Sequence, residues 1–164
     1  MKKGNILLTI SFIFCICCIA VCAIVTNNAV HTDAIFVQPE FETSAQQGIP
    51  EVPSELGWSE LYQDGMPFSA RICGAVHVEN GAAKLYFTNT TPSDVWIMLK
   101  IFDEDGNILG QTGLIRPNEY IENVGLIKTP EEGTSIDRKI MAYEPDTYYS
   151  LGAVNLSTYI ASVN

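Results

Sequence analysis

Residues that could do chemistry are sparse in this sequence of 164 residues. Cys73 and His77 lie four positions apart in a predicted strand, which places them on one face about 13 Å apart at about 3.3 Å per residue. A general base must lie within about 3 Å of its nucleophile, so this spacing excludes a Cys–His dyad within the strand. The sequence also lacks a Gly-x-Ser-x-Gly elbow, a His-Glu-x-x-His motif and a phosphate-binding glycine loop. We therefore predict that the protein is not an enzyme and that both histidines, His31 and His77, are structural.

The acidic stretch Asp103-Glu104-Asp105-Gly106-Asn107 is the best candidate for a metal site. Clustered carboxylates suit calcium, but an EF-hand loop needs glycine at its sixth position and glutamate at its twelfth. Here glycine is fourth, and the twelfth residue is Leu114. The same five residues are typical of a tight turn between two strands. We therefore expect a hairpin here, with no metal and no cofactor.

Tyrosines on either side of the Glu144-Pro145-Asp146 turn are the candidate ligand-binding residues. Tyr143, Tyr148 and Tyr149 could present rings to a sugar, because loops at the end of a β-sandwich commonly carry ligand sites. Tyrosine is also favoured in strands, so a structural role explains the same residues. Carbohydrate binding through these tyrosines is the alternative to protein binding.

Turn signals recur about every ten residues from Phe68 onwards, a spacing typical of an all-β sandwich or barrel. Asn80-Gly81 and Asp105-Gly106-Asn107 suit the positive φ of hairpin turns, and prolines end several of the apolar runs. These runs predict seven strands, over Ser69–Val78, Ala82–Thr88, Val95–Asp103, Ile108–Ile115, Glu119–Val124, Ser135–Tyr143 and Tyr149–Ile160.

The third predicted strand has two faces of different character, because side chains alternate along a strand. One face is wholly apolar and is assigned to the core: Val95, Ile97, Leu99 and Ile101. The other face places Lys100 among three apolar residues that are candidate partner-binding residues: Trp96, Met98 and Phe102. An apolar outer face can mark an interface. Two other arrangements stay open: the preceding segment or a neighbouring strand could cover this face, or the register could be reversed, with Trp96 in the core.

Three stretches carry a resemblance to a known family: Leu85-Tyr86-Phe87-Thr88-Asn89-Thr90-Thr91-Pro92, Ile101-Phe102-Asp103-Glu104-Asp105-Gly106-Asn107-Ile108-Leu109-Gly110 and Leu114-Ile115-Arg116-Pro117-Asn118-Glu119. They resemble the FxLYD-type immunoglobulin-like domains, which have a strand ending in Asn, a strand ending in Asp-x-Asp-Gly and a later Leu-x-Pro-Gly-Glu. Asn118 replaces the usual glycine, and asparagine also tolerates a left-handed φ. The resemblance covers about 35 residues and implies an immunoglobulin-like sandwich in an exported or tethered bacterial envelope protein. It implies no activity, because the matching residues form turns.

The first 25 residues predict a membrane segment. Residues 6–25 form an apolar run of twenty residues without charge, glycine or proline, which is about the length needed to cross a bilayer. Lys2 and Lys3 precede it, so the positive-inside rule places residues 1–5 in the cytoplasm and the following chain outside. A cleaved signal peptide is the competing interpretation, with Val21-Cys22-Ala23 as a small-residue cleavage site.

Charge and cysteine usage limit the partners of the remaining chain. Seven basic and all nineteen acidic residues lie beyond residue 32, so this part has a net charge of −12. Nucleic-acid binding needs a basic face and is not expected. Cys73 is the one cysteine outside the apolar run, so it cannot form an internal disulfide in an exported domain, and we expect a buried thiol.

Together these patterns predict one architecture. Residues 6–25 anchor the chain in the membrane, 26–66 form a proline-containing stalk, and 67–164 form an immunoglobulin-like β-sandwich of about seven strands outside the membrane. If the first segment is cleaved, the domain is secreted. We expect a non-enzymatic module of the cell envelope that binds a partner protein, or alternatively a carbohydrate-binding module on the cell surface.

Overall fold

The computed structural model describes residues 37–61 and 65–163. The chain divides into two compact units, and the second, Gln38–Asn164, contains all the strands discussed below. The predicted membrane segment 6–25 lies outside the described residues. None of the described residues belongs to a helix with the length and hydrophobicity of a membrane span.

Ten β-strands and one 3-10 turn make up the regular structure of the described residues, which confirms the predicted all-β class. The 3-10 turn is Ser54–Leu56. The strands are β1 (Gln46–Gln47), β2 (Trp58–Leu61), β3 (Ala70–Cys73), β4 (Val76–Glu79), β5 (Ala82–Asn89), β6 (Trp96–Phe102), β7 (Ile108–Gln111), β8 (Glu119–Gly125), β9 (Ser135–Tyr143) and β10 (Ser150–Val163).

The strands form one curled open sheet in the order β1-β8-β5-β4-β10-β9-β6-β7, with β3 beside β5 and β2 beside β3. β10 joins the two halves of this sheet. Its first ten residues, Ser150–Tyr159, pair antiparallel with β9, and its last residues pair parallel with β4. Side chains from both halves meet in a main core, whose largest fully buried members include Leu85, Phe87, Ile97, Leu99 and Ile140. Leu56, Cys73 and Tyr86 form a second, smaller cluster.

The seven predicted strands correspond to β3–β10, with two differences: the predicted strand Ile108–Ile115 ends at Gln111, and another is interrupted. The first predicted strand, Ser69–Val78, is split into β3 and β4 at Gly74 and Ala75. Their backbone N–H groups donate to the carbonyls of Gly57 and Leu56, at 3.1 and 3.2 Å. These bonds continue the β2 side of β3, on which Trp58 pairs with Cys73. Pairing with β5 stops at Arg71 and resumes at His77, so the ladder with β5 is interrupted between them.

The predicted register of the third strand is confirmed. Val95, Ile97, Leu99 and Ile101 are each at most 6% exposed and belong to the main core. The reversed register is therefore wrong, because the alternation that places these four residues inside places Trp96 on the outer face.

The segment before the sheet differs from the predicted stalk. Residues 38–61 lie in the same compact unit as the sheet and contribute β1 and β2. The chain passes so close to Gly113 that a Cβ there would lie 2.5 Å from the Glu42 backbone nitrogen. Glu42 N–H donates to the Leu114 carbonyl, and Leu114 N–H donates to the Glu40 carbonyl, both at 2.9 Å. The domain in this structure therefore begins near Gln38 and not at residue 67.

Candidate functional site

An aromatic surface lies at one end of the curled sheet; we use this name for Phe41, Trp96, Tyr143 and Tyr148. Trp96 begins β6 and lies directly opposite Tyr143 of β9. The Trp96 ring packs edge-on against Phe41, with 4.7 Å between centroids, and against Tyr148, with 5.2 Å. All four side chains are half-buried. The structure thus brings one predicted partner-binding residue together with two predicted ligand-binding tyrosines.

The loop between β9 and β10 sets the position of Tyr148. Asp146 and Tyr148 both have left-handed backbones, with φ of 65° and 58°. The loop is closed by hydrogen bonds from Tyr148 N–H to the Glu144 carbonyl and from Glu144 N–H to the Tyr149 carbonyl. This geometry turns Tyr148 back onto Trp96. Tyr149 is 73% exposed.

Phe41 reaches the surface from the segment that was predicted to be a stalk. The backbone contacts at Gly113 hold its chain, and the guanidinium of Arg116 lies 3.6 Å from the centroid of its ring. Arg116 is itself placed by Glu119, which lies 3.6 Å from the guanidinium and accepts a 2.8 Å hydrogen bond from the Arg116 backbone N–H. A cation held over an aromatic ring contributes about 0.5–1 kcal/mol at an exposed site.

Hydrogen bonds from Gly113 and from the same segment favour the ionised form of Glu42. Burial opposes ionisation of this carboxyl, but the N–H of Gly113 and both the hydroxyl and the N–H of Ser44 donate to it, and together they lower its pKa. At neutral pH the ionised Glu42 therefore ties the segment to Gly113.

The predicted apolar outer face is only partly open. Met98 is 5% exposed and lies opposite Met141 of β9, whereas Phe102 is half-buried and lies opposite Asp137. The Phe41 ring packs against Trp96, so the segment before the sheet covers part of this face. This agrees in part with the alternative in which that segment covers the face. Met98 is too buried to serve as an exposed contact residue.

Two lysines share this outer face in an acidic protein. Lys100 of β6 lies directly opposite Lys139 of β9, in the next row along the strands from the methionines. Like charges directly opposite each other destabilise a sheet. The described residues contain two ion pairs, Arg71–Glu60 and Arg116–Glu119, and neither involves these lysines.

Tyr143 contributes a hydroxyl to the aromatic surface. Burial raises its pKa above the usual value, so the hydroxyl stays protonated at neutral pH. It points towards the Met141 sulfur at 3.7 Å. Tyr143 therefore presents an apolar ring with a donor at its tip.

Cys73 and Arg138 form the most perturbed titratable pair. Cys73 is fully buried, and burial raises the pKa of its thiol to about 11. Arg138 points inwards from β9, donates to the Cys73 carbonyl, and has its pKa lowered to about 10 by burial. Because the thiolate is the nucleophilic form, this thiol is unsuited to catalysis at neutral pH.

The other chemical candidates act as structural links. His77 Nδ1 lies 2.6 Å from the Ser162 hydroxyl and joins β4 to β10. The Asp103 carboxylate accepts hydrogen bonds from Asp105 N–H and from both the backbone N–H and the side chain of Asn107, and the bonds from Asn107 are the main cause of its lowered pKa. Among residues 37–61 and 65–163, no three histidine, cysteine or acidic side chains are grouped to hold a metal ion.

Sequence reasoning missed Phe41 and Arg116. Phe41 is one aromatic residue between two glutamates in an aperiodic segment, and nothing in that local pattern indicates what it packs against. Arg116 belongs to a stretch that carries the family resemblance, and the resemblance assigns it no contact with an aromatic ring. Comparison of the chain with protein-family models, with curated proteins and with solved structures gave no match.

Proposed function

We propose that this protein is a membrane-anchored, non-enzymatic interaction module of the bacterial cell envelope. In this proposal residues 6–25 span the membrane, residues 1–5 are cytoplasmic and the β-domain lies outside. The support is the uncharged twenty-residue run behind a basic terminus. A secreted domain would result if the run were cleaved at Val21-Cys22-Ala23.

Cell fractionation tests the anchor. We expect the intact chain in the membrane fraction, with its C-terminal domain digested by protease added outside spheroplasts. A mature chain that begins after the apolar run and is released into the medium would contradict the anchor.

The curled sheet is further proposed to be a divergent immunoglobulin-like sandwich. Residues in the resembling stretches support this, because each has a structural task at a turn. The Asn89 side chain donates to the carbonyls of Val95 and Ile115, at 2.8 and 3.0 Å. Asn118 takes the left-handed conformation, with φ of 60°, that glycine has in the family pattern. Two halves of the sheet enclosing one core are also typical of this class.

Protein binding is assigned to the aromatic surface, and one observation carries the assignment: Trp96 is held half-exposed between Phe41 and Tyr148. Tryptophan, tyrosine and arginine are the residues enriched at binding hot spots. The two neighbouring rings are inclined to Trp96 by 74° and 65°. Because the three rings are not coplanar, they form an uneven surface, which suits an inserted protein side chain better than the flat face of a sugar ring. Lys100 and Lys139 favour a partner segment that is acidic as well as apolar.

A photo-crosslinking side chain at Tyr148, in the full chain expressed in its own cells, tests this surface. We expect an adduct with an envelope protein that is lost with Trp96→Ala, since truncating a hot-spot tryptophan costs at least about 2 kcal/mol, or about 30-fold in affinity. The probe placed at Tyr159, which is 67% exposed on β10, is the matched control. Equal labelling of the same envelope protein from both positions, or an adduct that survives Trp96→Ala in a folded domain, would refute the assignment.

Carbohydrate binding is the second candidate, favoured by the two tyrosines that flank Trp96. A glycan array probed with the full chain in detergent distinguishes it from protein binding. Retention that is lost with Tyr148→Ala and kept with Tyr149→Ala would favour the carbohydrate-binding module. No retention on any glycan would remove this candidate.

A further inference from the structure

Along most of β10, one edge of the strand has no described strand paired with it. Residues Ser150–Tyr159 pair with β9 on the other edge. Beside the unpaired edge, the Thr158 hydroxyl donates to the Gly74 carbonyl at 2.9 Å, and residues 65–68 line a cavity together with residues 152–154. Backbone N–H and C=O groups along a free strand edge are a template for another strand. At about 3.4 Å per residue, this edge is about 34 Å long.

This edge lacks most of the devices that usually block edge-to-edge pairing. Such devices are short strands, lysines, prolines and bulges. The outermost strands β1, β2 and β7 have two, four and four residues. β10 has fourteen, and residues 147–164 contain no charged residue and no proline. A bulge between Ser150 and Gly152 disturbs its start, which leaves Gly152–Tyr159 regular.

We propose that this edge pairs antiparallel with the same edge of a second copy of the chain, around a two-fold axis at Asn155. A two-fold axis makes any edge a candidate for its own partner. In this arrangement Asn155 of one copy lies opposite Asn155 of the other. Val154 then lies opposite Leu156 of the second copy, and Ala153 lies opposite Ser157 of the second copy. In an antiparallel pair, opposite residues point to the same face. This register therefore joins half-buried apolar residues on the inner side and exposed small residues on the outer side.

Charge favours a second copy at this edge. Each chain carries a net charge of −10, so most surfaces of two copies repel each other. The β10 edge brings together segments that carry no charge. Because one pair of eight-residue strands buries less than the roughly 800 Å² per partner of a standard interface, we expect a weak dimer that forms at micromolar concentrations.

Disulfide trapping tests the register. Asn155→Cys, in a full-length background with Cys15, Cys17, Cys18 and Cys22 changed to serine, is oxidised in detergent at micromolar protein concentration. Directly opposite residues lie about 4.5–5.5 Å apart between Cα atoms, within disulfide reach. Tyr159→Cys is the matched control on the same strand. In the dimer the cysteines of the two copies would lie four positions from the axis in opposite directions, and therefore about 27 Å apart.

We expect the Asn155→Cys chain to form covalent homodimers at least 10-fold faster than the Tyr159→Cys chain. Equal rates, or none, would overturn the proposal. Cross-linking of Asn155→Cys to a different polypeptide in cells would show a foreign strand at the edge and would also overturn it.

A charge variant tests the dimer without a new bond. Asn155→Glu places a carboxylate opposite Lys139 within one chain, and this pair of opposite charges favours the fold. In the dimer the two new carboxylates lie opposite each other across the two-fold axis, and their repulsion opposes pairing. We expect sedimentation equilibrium to show loss of the wild-type dimer, with no fall in the melting temperature of the domain. A dimer that persists in this variant would refute the edge pairing, whatever happens to cross-linking at the aromatic surface.

Discussion

Gly113→Ala is the perturbation that best tests how the N-terminal segment joins the sheet. An added Cβ would lie 2.5 Å from the Glu42 nitrogen, 2.7 Å from the Phe41 carbonyl carbon and 2.8 Å from the Glu40 oxygen. All three are backbone atoms, so no side-chain rotation relieves the contact. Ordinary contact begins at 3.4 Å, and the segment must withdraw by about 1 Å.

The magnitude follows from the bonds that this movement breaks. The hydrogen bonds between Glu42 and Leu114 and between Leu114 and Glu40 are 2.9 Å long, and an increase of about 1 Å takes both beyond hydrogen-bond distance. At about 0.5–1.5 kcal/mol each, their loss costs about 1–3 kcal/mol. The usual cost of overpacking a tight site is also about 1–3 kcal/mol.

Urea unfolding and hydrogen exchange measure the two consequences. We expect a lower unfolding midpoint and faster exchange at the Glu42 and Leu114 amides. Gly125→Ala is the matched control, because Gly125 lies in a strand and a Cβ there has nothing within 4 Å. If Gly113→Ala and Gly125→Ala unfold at the same urea concentration with the same protection of Leu114, residues 40–42 do not lie against Gly113.

Three further predictions concern buried or half-buried groups. Cys73 should react with iodoacetamide in urea and resist it in the native chain, as measured by peptide-resolved mass spectrometry, and rapid labelling of the native chain would contradict the burial of the thiol. The domain should also lose stability in urea unfolding as the pH rises from about 9 to 11, because the pKa of the thiol is higher in the folded chain than in the unfolded chain. Arg138→Met should change the free energy of unfolding by no more than about 1 kcal/mol, because it removes a buried cation along with one hydrogen bond. Arg138→Ala should lower it by about 2–4 kcal/mol, because it leaves a cavity, and equal losses for the two variants in urea unfolding would contradict this difference. Above pH 4.5, the pKa of the Glu42 carboxyl in the unfolded chain, Glu42→Gln should be less stable than the wild type, and this difference in stability should shrink as the pH falls through the lower pKa of the folded chain. A difference in stability that does not depend on pH would show that the carboxylate is not the group that holds the segment.

The strands were predictable because their signals are local. The turn residues at 80–81 and 105–107 and the alternation from Val95 to Ile101 act over a few positions, and these parts of the prediction agree with the structure. The break at Gly74 was not predictable, because the residues bonded to Gly74 and Ala75 lie seventeen or more positions earlier in the chain.

The composition of the aromatic surface depends on contacts that are distant in sequence. Trp96, Tyr143 and Tyr148 could be singled out by residue type and by their strand and turn positions. Phe41 could not, because its place depends on the missing side chain at Gly113 and on the Arg116 guanidinium, both more than seventy residues away. Local patterns find the residues of a sheet, but they do not show which irregular segment packs over it.

Phe41 is best understood as part of the proposed binding surface and not as a lid over it. Backbone hydrogen bonds on both sides of the residue, the stacked Arg116 and the ionised Glu42 all hold the segment in place. A partner that displaced Phe41 would have to break these interactions before it gained contact with Trp96. A partner that binds beside Phe41 gains an aromatic ring and a cation without that cost. A fragment beginning at residue 67 would lack Phe41, β1 and β2, so loss of binding by such a fragment would not distinguish a missing surface from a destabilised fold. Binding studies therefore require residues from Gln38 onwards.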